Sequence, residues 1–212
     1  MAAVQTQTNT IQGGSFRMTT TKLVPTLLGI ACAALATGAL AAPATYTIDP
    51  AHTYPTFEAD HMGVSFWRGK INSSSGKITL DKAAGTGTVE VTMDMKSLDF
   101  GHQGLNDHAQ TPDLFDTAKF PTATFTGKLV KFKDGAPTSV EGSLTLHGVT
   151  KPVTLTVNRF VCKEHPMMKK EVCGADASAQ INREDFGVAF GKQMGFGMGV
   201  TLRISVEALV AG

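Results

Sequence analysis

An all-β fold is predicted for this chain by three observations. Between Thr88 and Lys96 the residues alternate strictly: Val89, Val91, Met93 and Met95 share one face of an extended strand, and Thr88, Glu90, Thr92 and Asp94 share the other. The same period of two returns in Val200, Leu202, Ile204 and Val206, and again through Leu144, Leu146, Val153, Leu155 and Val157. Composition agrees, since 22 glycines and only 17% charged residues suit a sheet rich in turns. About eight strands can be counted with no crossover helix between them, so the expected architecture is one antiparallel sheet closed around its own apolar face.

Taken in order, Thr45 to Ile48 forms a first strand, and Asp49-Pro50-Ala51-His52 ends it because Pro50 has no ladder donor. Phe57 to Asp60 and Val64 to Ile71 are extended, followed by Gly76 and the alternating Ile78 and Leu80. Ala83 to Gly87 is a turn into the strand of Val89 to Met95. Thr122 to Phe132 alternates once more, with Ala123, Phe125 and Leu129 set between polar residues. The exception is Leu98 to Pro121, too long for a hairpin and poor in β-branched residues. Leu105 to Gln110 is expected to make a helical turn or two, and Leu114, Phe115 and Phe120 need something to cover. That excursion is either a lid on the barrel or a flap packed against its outside.

The first 48 residues hold no Asp or Glu and only two basic residues, Arg17 and Lys22. From Met18 a short polar start, an apolar run from Leu23 to Leu40 and a small-residue exit at Ala39-Leu40-Ala41 have the order of a secretory signal, with cleavage expected after Ala41. Residues 1–17 are an amino-terminal extension or a start assigned too early, and residues 42–212 form one domain. Without Arg17 and Lys22 that domain has 17 basic and 18 acidic side chains. Such a balance gives no grip on phosphate backbones, so nucleic acid is not an expected partner. The periplasm is the expected compartment.

Two cysteines remain after the signal, Cys162 and Cys173, and in an oxidising compartment a disulfide across the base of a long hairpin is the simplest reading. The alternative is a metal site of Cys162, His165 and Cys173, which lacks a fourth ligand. The six histidines show no ligand rhythm. Loop capping explains them, with His61 and His147 each bonding the backbone of a glycine turn. Asn182, Arg183 and Asp185, like Asp49, read as structural residues at bends. There is no G-x-S-x-G elbow, no phosphate-cradling glycine loop and no H-E-x-x-H, so hydrolase, nucleotide and zinc-protease chemistries lack their minimum parts.

Several phrases go beyond periodicity: Y-T-I-D-P-A-H-T from Tyr46, H-M-G-V-S from His61, N-D-H and P-D-L-F-D with K-F-P-T-A-T-F between Asn106 and Phe125, L-T-L-H-G-V-T-K-P-V from Leu144, and I-N-R-E-D-F-G-V from Ile181. In this order they resemble the YceI-like family of exported polyisoprenoid-binding proteins. The resemblance implies an eight-stranded antiparallel lipocalin-like barrel with a short helical excursion, holding the tail of a quinone-type, prenyl or fatty lipid. It also implies homodimers and carries no catalytic residues, so a binding protein and not an enzyme is expected. Transient membrane contact would give such a protein access to its lipid.

Eight strands leave room for a filled core or for one slender ligand. Met93, Met95, Met194 and Met198, with Gly191, Gly195, Gly197 and Gly199, either line a cavity or fill gaps in a solid core. Phe66 and Trp67 are adjacent and must face opposite ways, the inward one bordering the interior with Phe57 or Phe125. Ligand contacts are expected from Phe57, Val64, Phe66 and Trp67, and from Val91, Met93 and Met95. The excursion would add Phe115 and Phe120, and the later strands Phe125, Leu144 and Leu146, followed by Phe186 and Met194. Transport or storage of a polyisoprenoid or quinone-type lipid is the expected function, with no resident cofactor or metal. The rival is an electron-transfer or antioxidant partner working through a bound quinone.

Overall fold

The computed structural model describes Arg17 and residues 42–212, so the expected signal segment and most of the amino-terminal extension lie outside the described residues. Eleven strand segments form one antiparallel sheet: β1 (Ala44–Ile48), β2 (Tyr54–His61), β3 (Ser65–Ile71), β4 (Ser74–Asp81), β5 (Thr86–Asp94) and β6 (Leu98–Asp99). They continue as β7 (Thr122–Lys133), β8 (Ala136–Leu146), β9 (Val149–Glu164), β10 (Glu171–Asn182) and β11 (Gly199–Val210).

The eleven segments make eight walls. β1 and β2 are halves of one ribbon, because β11 pairs with β1 through Tyr46↔Val210 and Ile48↔Ala208, and with β2 through Val200↔Ala59 to Ser205↔Tyr54. β3 and β4 likewise form a second wall, and β5 with β6 a third. The ring runs on through β7, β8, β9 and β10 and closes where β11 meets β1. The result is the closed eight-stranded antiparallel barrel expected from the sequence, with one short helix, α1 (Gln103–Gln110).

Three neighbouring walls bend at the same level, and polar side chains take up the backbone groups that the bends release. At Asp49 to Thr53, the Asp49 carboxylate accepts from the Ala51 amide at 2.9 Å and pairs with His52 Nδ1 at 2.7 Å. Thr53, 2% exposed, bonds the Glu207 carbonyl and receives the Glu207 amide. At the second bend the Ser73 amide donates to the Ser97 hydroxyl at 2.9 Å, and the Asn72 amide donates to the Ser97 carbonyl. A 3₁₀ turn at Met95–Ser97, capped by Asp94, makes the third.

The hairpin turns are short, and their residues fit them. Asp134-Gly135 joins β7 to β8 and His147-Gly148 joins β8 to β9, both with positive φ at the two central residues, the geometry that matches strand twist. The β8–β9 turn lies at the top of the barrel, beside the Leu98–Pro121 excursion and residues 183–198. The bottom carries the turns after β4, β7 and β9.

The bottom is pinned twice. Cys162 and Cys173 face each other across β9 and β10 with Cα atoms 4.0 Å apart, and they form the expected disulfide. Both sulfurs are consumed by that bond, which removes the metal alternative. Nearby, Tyr46 is 1% exposed and donates its hydroxyl to Glu171 at 2.7 Å, and Lys82 closes on the same carboxylate. Around them Ile48, Leu80 and Ala208 form a small buried cluster.

Two predictions follow from this end of the molecule. Replacing both cysteines by alanine should lower the unfolding free energy by about 3 kcal/mol, the chain-entropy value for so short a loop. Urea denaturation measures it, and an unchanged midpoint would contradict the assignment. The second concerns pH. The Tyr46 hydroxyl is pushed up to about 12 by burial, and by the hydrogen bond and charge of Glu171. The fold therefore holds the phenolic proton more tightly than the unfolded chain does, so this stabilisation is complete below pH 10 and lost as pH rises through 12. Tyr46→Phe should cost about 1 kcal/mol at pH 7 and abolish the alkaline loss. Glu171 has the opposite sense: its hydrogen bond to Lys82, helped by Tyr46 and opposed by burial, holds its carboxyl below the usual 4.5. Its contribution is present above 4.5 and fades as pH falls through the depressed value.

Candidate ligand-binding cavity

The inward faces of the eight walls do not meet. They enclose a cavity of about 420 Å³, inside the range of roughly 300–1,000 Å³ usual for small-molecule sites. The interior is thus not a solid core. Alternation decides what lines it: Val89, Val91 and Met93 on β5, Phe125 and Leu129 on β7, and Val140, Leu144 and Leu146 on β8. Opposite them stand Val153, Leu155 and Val157 of β9 and Leu202, Ile204 and Val206 of β11.

Small residues at inward positions keep the space open. β10 contributes Ala175 and Ala177 where other strands carry Val or Leu. Gly127 and Gly142 face each other across β7 and β8. A Cβ on Gly142 would lie 2.6 Å from Phe125 Cζ and 2.4 Å from the Thr126 carbonyl oxygen, so the Phe125 ring lies where a side chain would otherwise stand.

Several residues anticipated as ligand contacts reach the cavity. Phe57 and Trp67 come from β2 and β3, and Val91, Met93 and Met95 from the third wall. Phe115 enters from the excursion, with Phe125, Leu144 and Leu146 from β7 and β8. The adjacent aromatics divide as anticipated: Trp67 faces in and Phe66 faces out, 59% exposed.

The other contacts must be corrected. Phe66 and Val64, the latter 80% exposed, sit on the outside of the β2–β3 hairpin, because Val64 follows the Met62-Gly63 turn as an unpaired residue. Met194 lies in a 3₁₀ turn between two left-handed glycines and is 55% exposed, and Met198 is not among the lining residues. Phe120 packs edge-on against His147 at 4.5 Å and covers Gly148, on the far side of the excursion. Phe186 is buried in the barrel's main apolar cluster, behind the lining.

The excursion covers the top. His108 of α1 and Leu114 and Phe115 beyond it all border the cavity, so its apolar side chains act as a lid. Asn106 fixes its first turn by accepting from the Phe100 amide at 2.7 Å and donating to Asp99 at 3.0 Å. Asp99 is held below the usual carboxyl value, first by its hydrogen bond from the Gly101 amide and then by Asn106.

Residues 183–198 form the other half of this cover, and Arg183 organises them. Its guanidinium donates to the Val188 carbonyl at 3.0 Å, to Phe190 at 2.9 Å and to Gly197 at 3.4 Å. Burial holds its pKa below the usual value, against the opposing pull of Glu184. Asn182 accepts from the Glu184 amide as expected, whereas Asp185 is exposed and makes no side-chain hydrogen bond to the described residues. His147 donates from Nδ1 to the Phe186 carbonyl oxygen at 3.1 Å, tying the β8–β9 turn to this segment where a bond within its own turn was expected. His61 departs from expectation: its ring stacks on Trp67 at 3.9 Å, with Phe196 edge-on at 4.8 Å, in place of a bond to its turn.

The lining residues of β9 and β11 were visible as alternating runs but were not read as ligand contacts, because period alone does not say which face is inward. Phe190 and Phe196 lie in irregular segments and His108 in a helix of two turns, so none of them left a strand-like period.

Comparison with known proteins agrees with this architecture. Residues 46–208 match the YceI-like domain family. The YceI protein of Escherichia coli O157:H7 is 37% identical over 166 residues, covering 76% of this chain and 86% of that protein. A UPF0312 protein of Vibrio vulnificus is 34% identical, over 78% of this chain and 87% of its own length. Among solved structures, the Campylobacter jejuni YCEI protein superposes with a TM-score of 0.59 at 25% identity, over 72% of this chain and 90% of that one. A polyisoprenoid binding domain from Saccharophagus degradans gives 0.57 at 17% identity, over 78% and 98%, a likeness of fold alone. On the family match and these relatives, the chain belongs to the YceI-like family.

Proposed function

We propose that this protein binds a long polyisoprenoid or quinone-type lipid inside its barrel and carries or stores it, with no chemistry of its own. The observation that carries this reading is the apolar cavity of about 420 Å³ running between the two ends of the barrel. Support comes also from the family, and from the fold shared with a domain described as polyisoprenoid binding. Each buried methylene contributes about 0.8 kcal/mol, so a prenyl tail is held by area without a catalytic or ionic apparatus. The signal-like segment at residues 18–41 supports export, and the periplasm is the compartment we assign. The Leu98–Pro121 lid is the element that would open to admit the tail.

Organic extraction of the purified protein followed by mass spectrometry tests the reading directly. One long-chain lipid per barrel is expected, and an empty extract combined with no response of Trp67 fluorescence to added prenyl lipid would refute it. Ala177→Phe should place a ring into the cavity and lower lipid retention at least tenfold, while circular dichroism stays that of a β protein. Normal retention in that folded variant would put the ligand elsewhere.

A further inference from the structure

The cavity is not uniform along its length. Its lower stretch, around Ile78, Val89, Leu129, Phe160 and Val206, contains no ionisable side chain. The three ionisable lining residues, Asp60, His108 and Arg183, belong to the upper end, one each from the top of β2, from α1 and from the segment after β10. An elongated amphiphile entering this cavity would therefore be sorted, tail below and head above.

The charges at that end nearly cancel. Arg183 uses three of its five N–H groups on the Val188, Phe190 and Gly197 carbonyls and makes no carboxylate pair among the described residues. Its neighbour Glu184 is engaged by Lys192. Asp60 faces the same segment from the other wall, accepting from the Gly197 amide at 3.1 Å and the Gly63 amide at 3.0 Å. A cation and an anion thus bracket one residue, Gly197. His108 has Asp113 at 3.8 Å and Phe190 against its ring. A phosphate is ordinarily held by clustered cations or by a fork free to bind in two places. Here the single guanidinium is half committed to carbonyls, and a carboxylate stands near it.

We propose that the upper end is the head-group site of the cavity, with Arg183 as its donor, and that its near-neutral charge selects an uncharged, carbonyl-bearing head over a phosphorylated one. This rests on the lipid-carrier reading. An uncharged carbonyl oxygen can take the N–H groups that Arg183 leaves free without bringing charge beside Asp60. A diphosphate would be stripped of water next to that carboxylate, with one cation to compensate it.

Three ligands with one C20 prenyl tail separate the possibilities: a benzoquinone, a diphosphate and the bare hydrocarbon, each measured by displacement of a fluorescent fatty probe from delipidated protein. The quinone should bind at least fivefold tighter than the hydrocarbon, and the diphosphate at least tenfold weaker than the quinone. Arg183→Gln should remove the quinone's advantage over the hydrocarbon, read as the ratio of the two affinities within that variant. Should that variant fail to fold, Asp60→Asn provides a second test, improving diphosphate binding at least fivefold relative to the hydrocarbon in the same variant. A diphosphate that matches or exceeds the quinone in the unaltered protein overturns the proposal, as does a quinone advantage that survives in folded Arg183→Gln. Failure of all three ligands to bind would instead overturn the carrier reading.

Discussion

Ring closure is the constraint on which the rest of this structure depends. β11 must satisfy two partners along one edge, β2 over its first half and β1 over its last few residues, and only then does every wall have a neighbour on both sides. Closure removes the exposed edges that make open sheets prone to aggregation. It also fixes parity, since a register slip of one residue would turn the apolar face of β11 to solvent. The interior is therefore a consequence of pairing, and its size follows from eight walls and the residues they point inward.

That interior is a thermodynamic liability when empty. A cavity of about 420 Å³ left without a ligand forfeits the contacts its apolar lining could otherwise make. Water is a poor filler because the walls offer it few partners. Wider side chains at Ala175 and Ala177 would relieve the cost, yet the chain keeps alanine there, and Phe125 lies where Gly142 makes room. A fold that retains unfilled space of this size gains most from a ligand that binds the native state alone. This is the physical reason to read the barrel as a container.

Sequence reading recovered the barrel because alternation is a property of single strands and survives without any tertiary information. Val89, Val91 and Met93 line the cavity for the same reason that they stood out as a pattern. The disulfide was legible from cysteine count and expected compartment, and its partners do face each other. What failed was placement at the ends. Val64 and Phe66 were grouped with Trp67 by proximity in the chain, but the turn at Met62-Gly63 and strand parity set them outside. Met194 was grouped with Met93 by residue type, although a 3₁₀ turn holds it toward solvent. Arg183 was read as structural. It is that, and the same carbonyl contacts that make it structural also bring its charge to the cavity wall, which no local pattern announces.

The two ends of the barrel are built on different principles. Below, a covalent bond, a buried tyrosine and a compact cluster hold short turns together, so opening there requires breaking Cys162–Cys173 or exposing Tyr46. Above, the cover consists of α1 with the turns that follow it and of residues 183–198, tied down by Asn106 in the first and by Arg183 and His147 in the second. The upper end also carries the ionisable lining residues, Asp60, His108 and Arg183. A slender lipid entering there would pass its tail through first, into walls that offer it mainly apolar area, and would stop when its head met the ionisable lining residues. Direction and depth of insertion are then set by the same asymmetry, without a moving part below the lid.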